Sequence, residues 1–191
     1  MTAKPLVVGL GGTVRPGSTS ETALIKALAA AEAAGAETVL FGGAFLAGLP
    51  HYDPRLSADN AEQVRLVDTV RRADGLIVST PGYHGSISGL VKNALDCLED
   101  LREDARPYLD GRAVGCIVTA AGAQAGGSTL AALRGIIHAM RGWPTPYGAT
   151  LTSTGGLFGD DGAFSDPRDA SAVETVARQV VQFAGWWGPR A

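Results

Sequence analysis

The sequence has few cysteines, few aromatic residues and no excess of basic charge, and each shortage excludes a class of protein. Its 191 residues include 2 cysteines, 16 lysines and arginines, and 19 aspartates and glutamates. Cys97 and Cys116 fit neither a metal motif nor a redox pair, so we expect both thiols to pack as small hydrophobic residues. The scattered basic residues do not form the positive surface that nucleic-acid binding requires. We therefore expect no metal site and no nucleic-acid partner.

Long apolar stretches are also missing. The amino terminus runs into a strand-like segment at residues 6–8, which is too short for the apolar region of a signal peptide. No apolar run approaches the roughly 20 residues that a helix needs to span a bilayer. These observations predict a cytoplasmic protein with no membrane partner.

Short apolar runs and helical patterns alternate along the chain, and this order predicts an α/β fold. We expect a single domain over residues 1–191, with a doubly wound parallel sheet of five strands and helices on both faces. The predicted strands cover residues 6–10, 38–41, 75–79, 113–121 and part of 146–151. The predicted helices cover 22–34, a segment capped by Ser57 or Asp59 with Val64, Val67 and Val70 on its apolar side, the segment after 86, the segment opened by 122–127, and 168–187. Glycines and prolines in residues 42–57 predict an irregular connection.

The stretch from residue 80 to residue 96, TPGYHGSISGLVKNALD, organises this pattern. It follows an uncharged run typical of a strand buried on both faces, and it leads into a helix with apolar residues at helical spacing. Its loop therefore lies at the carboxyl end of a strand, where ligands bind in open α/β sheets. Tyr83 is an aromatic residue among Gly82, Gly85 and Ser86, and small residues allow a flat ligand to approach the backbone.

The first loop, LGGTVRPGSTS at residues 10–20, offers a second set of ligand-binding groups. It lacks the third glycine of a dinucleotide fingerprint, because Val14 stands there, and it lacks the lysine of a triphosphate loop, because Ser18 stands there. It does carry hydroxyls, the cation Arg15 and the free N–H groups of a helix start, a set that suits one terminal phosphate. The alternative is that Ser18 and Ser20 only cap the helix and that Arg15 is a solvated charge.

These two segments resemble the flavodoxin-like NAD(P)H-dependent FMN reductases. Residues 12–18 are similar to the phosphate loop of that family, and residues 80–96 are similar to its flavin loop and the following helix. The resemblance implies that FMN is held through its phosphate by the first loop and through its ring by the loops after the third and fourth strands. The implied cofactor-binding residues are Thr13, Arg15, Ser18, Thr19, Ser20, Pro81, Gly82, Tyr83, His84, Gly85, Ser86, Thr119, Ala121 and Gly122, with Gly126 near the third loop. Gly82 and His84 depart from the family, which often carries Glu and Asn there.

The implied activity is the transfer of hydride from NADPH or NADH to FMN and onward to an acceptor such as free flavin, a quinone, an azo dye or chromate. Because the cofactor carries the reactive atoms, we expect no catalytic protein residue and no metal, with His84 and Tyr83 in positioning roles. The family implies a homodimer or homotetramer, and a flavin-dependent monooxygenase is one partner that would use reduced flavin. A flavodoxin-type electron carrier is the alternative from a different class.

Four further expectations concern residues outside the three loops. Lys92 and Asp96 are spaced to form an ion pair on one helix. Trp186 and Trp187 are expected to anchor the last helix, and His51 and His138 are expected to be surface residues. Three apolar residues of the helix after the flavin loop are candidates for a subunit contact: Leu90, Val91 and Leu95.

Overall fold

A central parallel sheet carries the fold in the computed structural model, which describes residues 4–56 and 59–187. The strands are β1 (Leu6–Gly11), β2 (Glu37–Phe41), β3 (Gly75–Tyr83), β4 (Ser86–Ile87), β5 (Ala113–Ala120), β6 (Trp143–Pro144) and β7 (Ala149–Thr152). The helices are α1 (Thr19–Ala33), α2 (Gly43–Gly48), α3 (Ala61–Arg72), α4 (Gly89–Asp96), α5 (Ala123–Ala139) and α6 (Pro167–Trp187), with a short 3-10 helix at Cys97–Leu101. The predicted α/β alternation is thereby confirmed.

The sheet has seven strands within the described residues, so the prediction of five was wrong. The parallel strands follow the order β2-β1-β3-β5, and both β6 and β7 pair with β5 along its free edge. This is the flavodoxin-like strand order, in which the chain reverses its direction of progress between β1 and β3. The extra strand β4 pairs antiparallel with the end of β3 and forms a hairpin with it.

The last parallel strand is interrupted, which explains why one strand was predicted where two are observed. Trp143 and Thr145 donate their backbone N–H groups to Arg112 and Val114, and pairing resumes only at Ala149 opposite Ile117. Pro146 has no N–H to offer a ladder. The hydroxyl of Thr145 donates to the carbonyl oxygen of Tyr147 at 2.8 Å and closes the resulting turn.

Helices cover both faces of the sheet because alternate residues of each strand point in opposite directions. Val8 of β1 and Val78 of β3 face the core beneath α3, α4 and α5, whereas Val7 and Ile77 face the core beneath α1 and α6. The strands are therefore apolar on both sides, as the sequence indicated.

Three helix predictions need correction. Residues 43–48, expected to be irregular, form α2, in which Leu46 is buried and joins the core. The cap of α3 is Asn60, whose side chain accepts the N–H of Gln63, rather than Asp59, while Ser57 lies outside the described residues. On α3 the buried apolar side chains are Leu66, Val67 and Val70, while Val64 is 39% exposed.

Expectations for the α4 helix had mixed outcomes. Lys92 and Asp96 form the predicted ion pair. Val91 and Leu95 are buried in the chain's own core, so they are not available for the subunit contact that was considered for them. Leu90 packs partly against the same core.

The aromatic and histidine residues outside the loops behave largely as expected. Trp187 stacks on Phe183 and also contacts Trp143, but Trp186 is 67% exposed and contributes less to anchoring α6. His51 and His138 are exposed, as predicted. None of the helices among the described residues combines the length and apolar content needed to cross a membrane.

Both cysteines are free and buried in the core, which confirms the packing prediction. Burial raises the pKa of Cys97 to about 11 and that of Cys116 to about 12, so both thiols are neutral near pH 8.

We therefore expect that a thiol reagent at pH 8 modifies neither cysteine in the native protein and modifies both in denaturant, as measured by mass spectrometry. Rapid labelling of either native thiol would contradict this.

Candidate functional site

A cleft of about 550 Å³ lies at the carboxyl ends of the parallel strands. This volume falls within the roughly 300–1,000 Å³ that is typical of small-molecule sites. The cleft lies at the point where the strand order reverses, between the loops that follow β1 and β3, and it extends to the ends of β5 and β7. Its walls are formed by Thr13, Val14, Arg15, Ser18, Thr19, Ser20, Pro81, Gly82, Tyr83, Thr119, Ala120, Ala121 and Ser153.

The first wall is the loop between β1 and α1. The hydroxyl oxygen of Thr13 accepts the backbone N–H of Arg15 at 3.1 Å, which holds the loop in a tight turn. Arg15 is exposed, and no ion pair among residues 4–56 and 59–187 involves its guanidinium. The loop thus presents a cation at the cleft whose donors are open to an anion.

The first turn of α1 forms the floor beside that cation. Ser18 is the N-cap, and its hydroxyl accepts the N–H of Glu21. Ser18 and Ser20 are 2% and 0% exposed, and their hydroxyl oxygens lie 3.4 Å apart. The helix start leaves N–H groups without intrahelical partners and carries a positive partial charge, so it favours an anion in the cleft. Ser18 therefore acts as a cap and also lies in the floor of the cleft.

The second wall is the end of β3 and its hairpin. His84 and Gly85 have φ angles of 52° and 81°, so both occupy the left-handed region that a two-residue hairpin turn requires. Thr80 fixes the hairpin to α4: its buried hydroxyl accepts the N–H of Ser88 at 3.1 Å and donates to the carbonyl oxygen of Pro81 at 3.0 Å. Tyr83 stands at the rim with 53% of its surface exposed. These hydrogen bonds hold the hairpin in one position, and its cleft-lining residues 81–83 are called the ledge below.

Gly82 has a packing role in that ledge. A Cβ at this position would lie 2.9 Å from the Thr129 hydroxyl and 3.2 Å from the Ala120 Cβ. A side chain at this position would therefore require Thr129 or Ala120 to shift. This is a reason for Gly82 that does not depend on a ligand.

The third wall comes from β5 and the loop after β7. Thr119 and Ala120 end the buried strand β5, and Ala121 follows them at the cleft. Ser153 donates its N–H to the carbonyl oxygen of Ala120 at 2.8 Å, and the Thr154 hydroxyl donates to the carbonyl oxygen of Ala121 at 3.2 Å. These two hydrogen bonds join the loop after β7 to the end of β5.

Most of the residues predicted for the site line this one cleft. The exceptions are His84, Gly85, Ser86 and Gly122, which lie next to it in the hairpin turn, in β4 and at the start of α5. Gly126 does not line the cleft either, because it is buried within α5. Their direct contact with a cofactor stays a prediction, as it does for the residues that line the cleft.

Three lining residues were not predicted from the sequence: Val14, Ala120 and Ser153. Val14 and Ala120 are neighbours of predicted residues. The sequence held one signal for Ser153, which is a polar residue directly after the last strand.

A second cleft of about 470 Å³ lies at the opposite ends of the strands and is lined by Arg71, Arg72 and Arg106 with Trp187. Its arginines already have partners: Arg71 pairs with Asp104 at 2.7 Å, and Arg106 donates to backbone carbonyls. Nearby, Arg112 is 1% exposed, and its guanidinium donates to the carbonyl oxygens of Arg71, Ala73, Tyr108 and Asp110. This end of the sheet is held together by arginine and carbonyl groups.

Fold and cleft together define a flavodoxin-like protein in which a loop carrying hydroxyls and an arginine lies beside the hairpin after β3. A family model described as NADPH-dependent FMN reductase matches residues 5–155. The chain belongs to this family.

Individual relatives match shorter parts of the chain. An NADPH azoreductase from Bacillus sp. (strain OY1-2) is 43% identical over 51 residues, which cover 26% of this chain and 29% of that protein. An FMN-dependent NADPH-azoreductase from Staphylococcus aureus is 32% identical over 120 residues, covering 62% of this chain and 60% of that protein. The chain thus aligns with less than two thirds of the length of these relatives.

Among solved structures, the apo form of an NADH:FMN oxidoreductase, EMOB, is similar with a TM-score of 0.69 and 24% identity. The similarity covers 93% of this chain and 90% of the other. At this identity the likeness supports the fold, which extends over nearly the whole chain.

Proposed function

We propose that this chain is an NAD(P)H-dependent FMN reductase that passes electrons from a nicotinamide cofactor through FMN to a small-molecule acceptor. The observation that carries the proposal is the cleft in which the exposed Arg15, a helix start and a backbone ledge come together. Family membership supports the same cofactor pair. We further propose that the whole chain acts as one domain.

The phosphate end of FMN fits the first wall. Arg15 supplies an exposed guanidinium, the start of α1 supplies backbone N–H groups, and Thr13 and Thr19 supply hydroxyls. This set of donors matches a singly phosphorylated ligand, because every group offered can donate a hydrogen bond to a phosphate oxygen. The residues that would hold the phosphate are Thr13, Arg15, Ser18, Thr19 and Ser20.

The ring end fits the ledge and the third wall. Pro81, Gly82 and Tyr83 on one side and Thr119, Ala120 and Ala121 on the other provide mostly backbone and small side chains. Bound FMN would accept hydride from the nicotinamide and supply the redox chemistry. The protein would orient the ring, and backbone N–H groups of the two loops would stabilise negative charge on it.

A second candidate is an FMN-containing azo, quinone or chromate reductase, which would use the same cleft with a different final acceptor. The azoreductase relatives favour this version. A flavodoxin-type carrier, which binds FMN but does not react with NAD(P)H, is the alternative that the family match disfavours. We propose a cytoplasmic homodimer or homotetramer whose reduced flavin serves a small acceptor or a flavin-dependent monooxygenase.

Anaerobic mixing of the FMN-loaded protein with NADPH or NADH tests the proposal. We expect bleaching of the flavin absorbance with at least one nucleotide, followed by reoxidation when an acceptor is added. A carrier would stay oxidised with both nucleotides. Steady-state rates with free FMN, a quinone and an azo dye then separate the two reductase candidates. Turnover with the quinone or azo dye but not with free FMN would exclude a reductase that supplies reduced flavin to a monooxygenase.

A further inference from the structure

Glu21, in the first turn of α1, makes a contact that bridges two separate segments. Ser18 and Glu21 have the spacing of a capping box, in which the glutamate usually returns to the N-cap backbone. Here the Glu21 Oε1 atom instead accepts the backbone N–H of Gly43 at 2.9 Å, at the start of α2. The carboxylate therefore connects the helix beneath the cleft to the segment after β2.

The start of α1 with its preceding loop and the start of α2 pack closely enough that no side-chain atom fits between them. A Cβ on Gly43 would overlap the carbonyl oxygen of Thr13, and a Cβ on Gly42 would overlap the Glu21 carboxylate. On the other side, a Cβ on Gly12 would lie 2.7 Å from the Gly43 nitrogen. The backbone of Gly43 thus lies directly against the loop that carries Thr13 and Arg15.

We infer that Glu21 is a positioning residue, which acts through Gly43 to hold the phosphate loop in its binding conformation. The inference rests on the proposed function and names the device that fixes its phosphate end. Without the Glu21 carboxylate, the Gly43 N–H loses its acceptor, and the contact between the start of α2 and Thr13 loosens while Leu46 still holds α2 in the core. The turn between Thr13 and Arg15 then has to be ordered at the moment of binding, which costs affinity.

If Glu21 acted mainly through its charge, its removal would change FMN affinity in the opposite direction. A carboxylate near the loop repels a phosphate, so its removal would tighten FMN binding if charge dominated. Replacement by glutamine removes the charge and keeps an acceptor oxygen for Gly43. The alanine and glutamine variants therefore separate positioning from charge.

The test measures dissociation constants of FMN and of riboflavin for the full chain by fluorescence titration. Riboflavin carries the same ring without phosphate, so it reports on the ledge but not on the phosphate loop. For Glu21→Ala we expect FMN affinity to fall about tenfold, the size of one lost hydrogen bond to a charged group. Riboflavin affinity is expected to be unchanged, and Glu21→Gln is expected to bind FMN within about threefold of the parent protein.

Glu32→Ala is the matched control. Glu32 lies on the same helix, and its carboxylate also bridges to a neighbouring element, through the hydroxyl of Thr38 in β2. It lies at the far end of α1 from the cleft, so its removal should leave both affinities unchanged. Gly43→Ala displaces the same loop by a different route, because its Cβ would overlap the Thr13 carbonyl oxygen, and in protein that stays folded by circular dichroism it should lower FMN affinity more than riboflavin affinity.

Each other outcome overturns the inference. Tighter FMN binding by both Glu21 variants would make the carboxylate a repulsive charge, and an equal loss for FMN and riboflavin would make it a general stability residue. Unchanged affinity in Glu21→Ala would remove the role altogether. If the parent protein bound neither flavin, the proposed function itself would fail, and that result is distinct from the others.

Discussion

Replacement of Arg15 by alanine is expected to weaken FMN binding about thirtyfold, because a hydrogen bond to a charged group is lost at a loop. Arg15 lines the cleft and has no partner among the described ion pairs, so its guanidinium is available to a phosphate. The side chain is exposed and contributes no core packing, so the melting temperature should not change. Flavin titration and thermal unfolding measure the two quantities.

Riboflavin and a second variant serve as controls for Arg15. The affinity for riboflavin should be unchanged, since this ligand lacks the phosphate. Arg15→Lys keeps the charge but not the two-pronged geometry, so its FMN affinity should lie between those of the parent and alanine proteins. Equal FMN affinity in the parent and Arg15→Ala proteins would remove Arg15 from the site.

Replacement of the buried Arg112 by methionine is expected to lower the free energy of unfolding by about 3–4 kcal/mol, because several buried carbonyl groups lose their donor. The guanidinium donates to Ala73 at 3.0 Å, to Tyr108 at 3.0 Å and to Arg71 at 2.7 Å, and so joins the end of α3 to the loop before β5. Chemical denaturation monitored by circular dichroism measures the loss.

The pH dependence of this effect follows from the same burial. Burial lowers the pKa of Arg112 to about 10. The ordinary value is higher, so both the folded and the unfolded chain keep the proton below about pH 9. The decrease in unfolding free energy caused by Arg112→Met should therefore be the same at pH 6 and pH 8. Above the folded pKa the unfolded chain binds more protons at this group than the folded chain, so the stability linked to Arg112 would rise with pH only there.

Arg72 provides the matched comparison for Arg112. It is exposed, and among the residues that the structure describes its guanidinium donates only to the carbonyl oxygen of Asp68, at 3.2 Å. Arg72→Met should change the free energy of unfolding by less than about 0.5 kcal/mol. A change in Arg112→Met as small as that would show that the buried guanidinium does not hold this end of the sheet together.

The sheet and its helices were accessible from the sequence because their cause is local. Short uncharged runs such as the one ending at Ser79 are typical of strands buried on both faces, and the apolar spacing of α6 is typical of a helix. The segments that were missed depend on distant contacts. α2 forms in a glycine-rich stretch because Leu46 is buried in the core, and β4 has only two residues, too few to show an alternation.

The site was predicted best where one loop carries many ligand-binding groups. Thr13, Arg15 and Ser18 lie close together along the chain, so the sequence alone predicted that they line the same cleft. Ser153 lies far from them in sequence and reaches the cleft only because β7 pairs with β5. The link from Glu21 to Gly43 was equally hidden, because a capping box predicts a contact within the helix.

The Arg112 carbonyl cluster and the cleft lie at opposite ends of β5, a strand of eight residues, and therefore roughly 25 Å apart at the usual rise per residue. Substitutions at the cleft residues Val14, Tyr83 or Ser153 touch none of the groups that Arg112 joins. Substitutions at the cleft and stabilising substitutions near Arg112 should therefore have nearly additive effects on the free energy of unfolding.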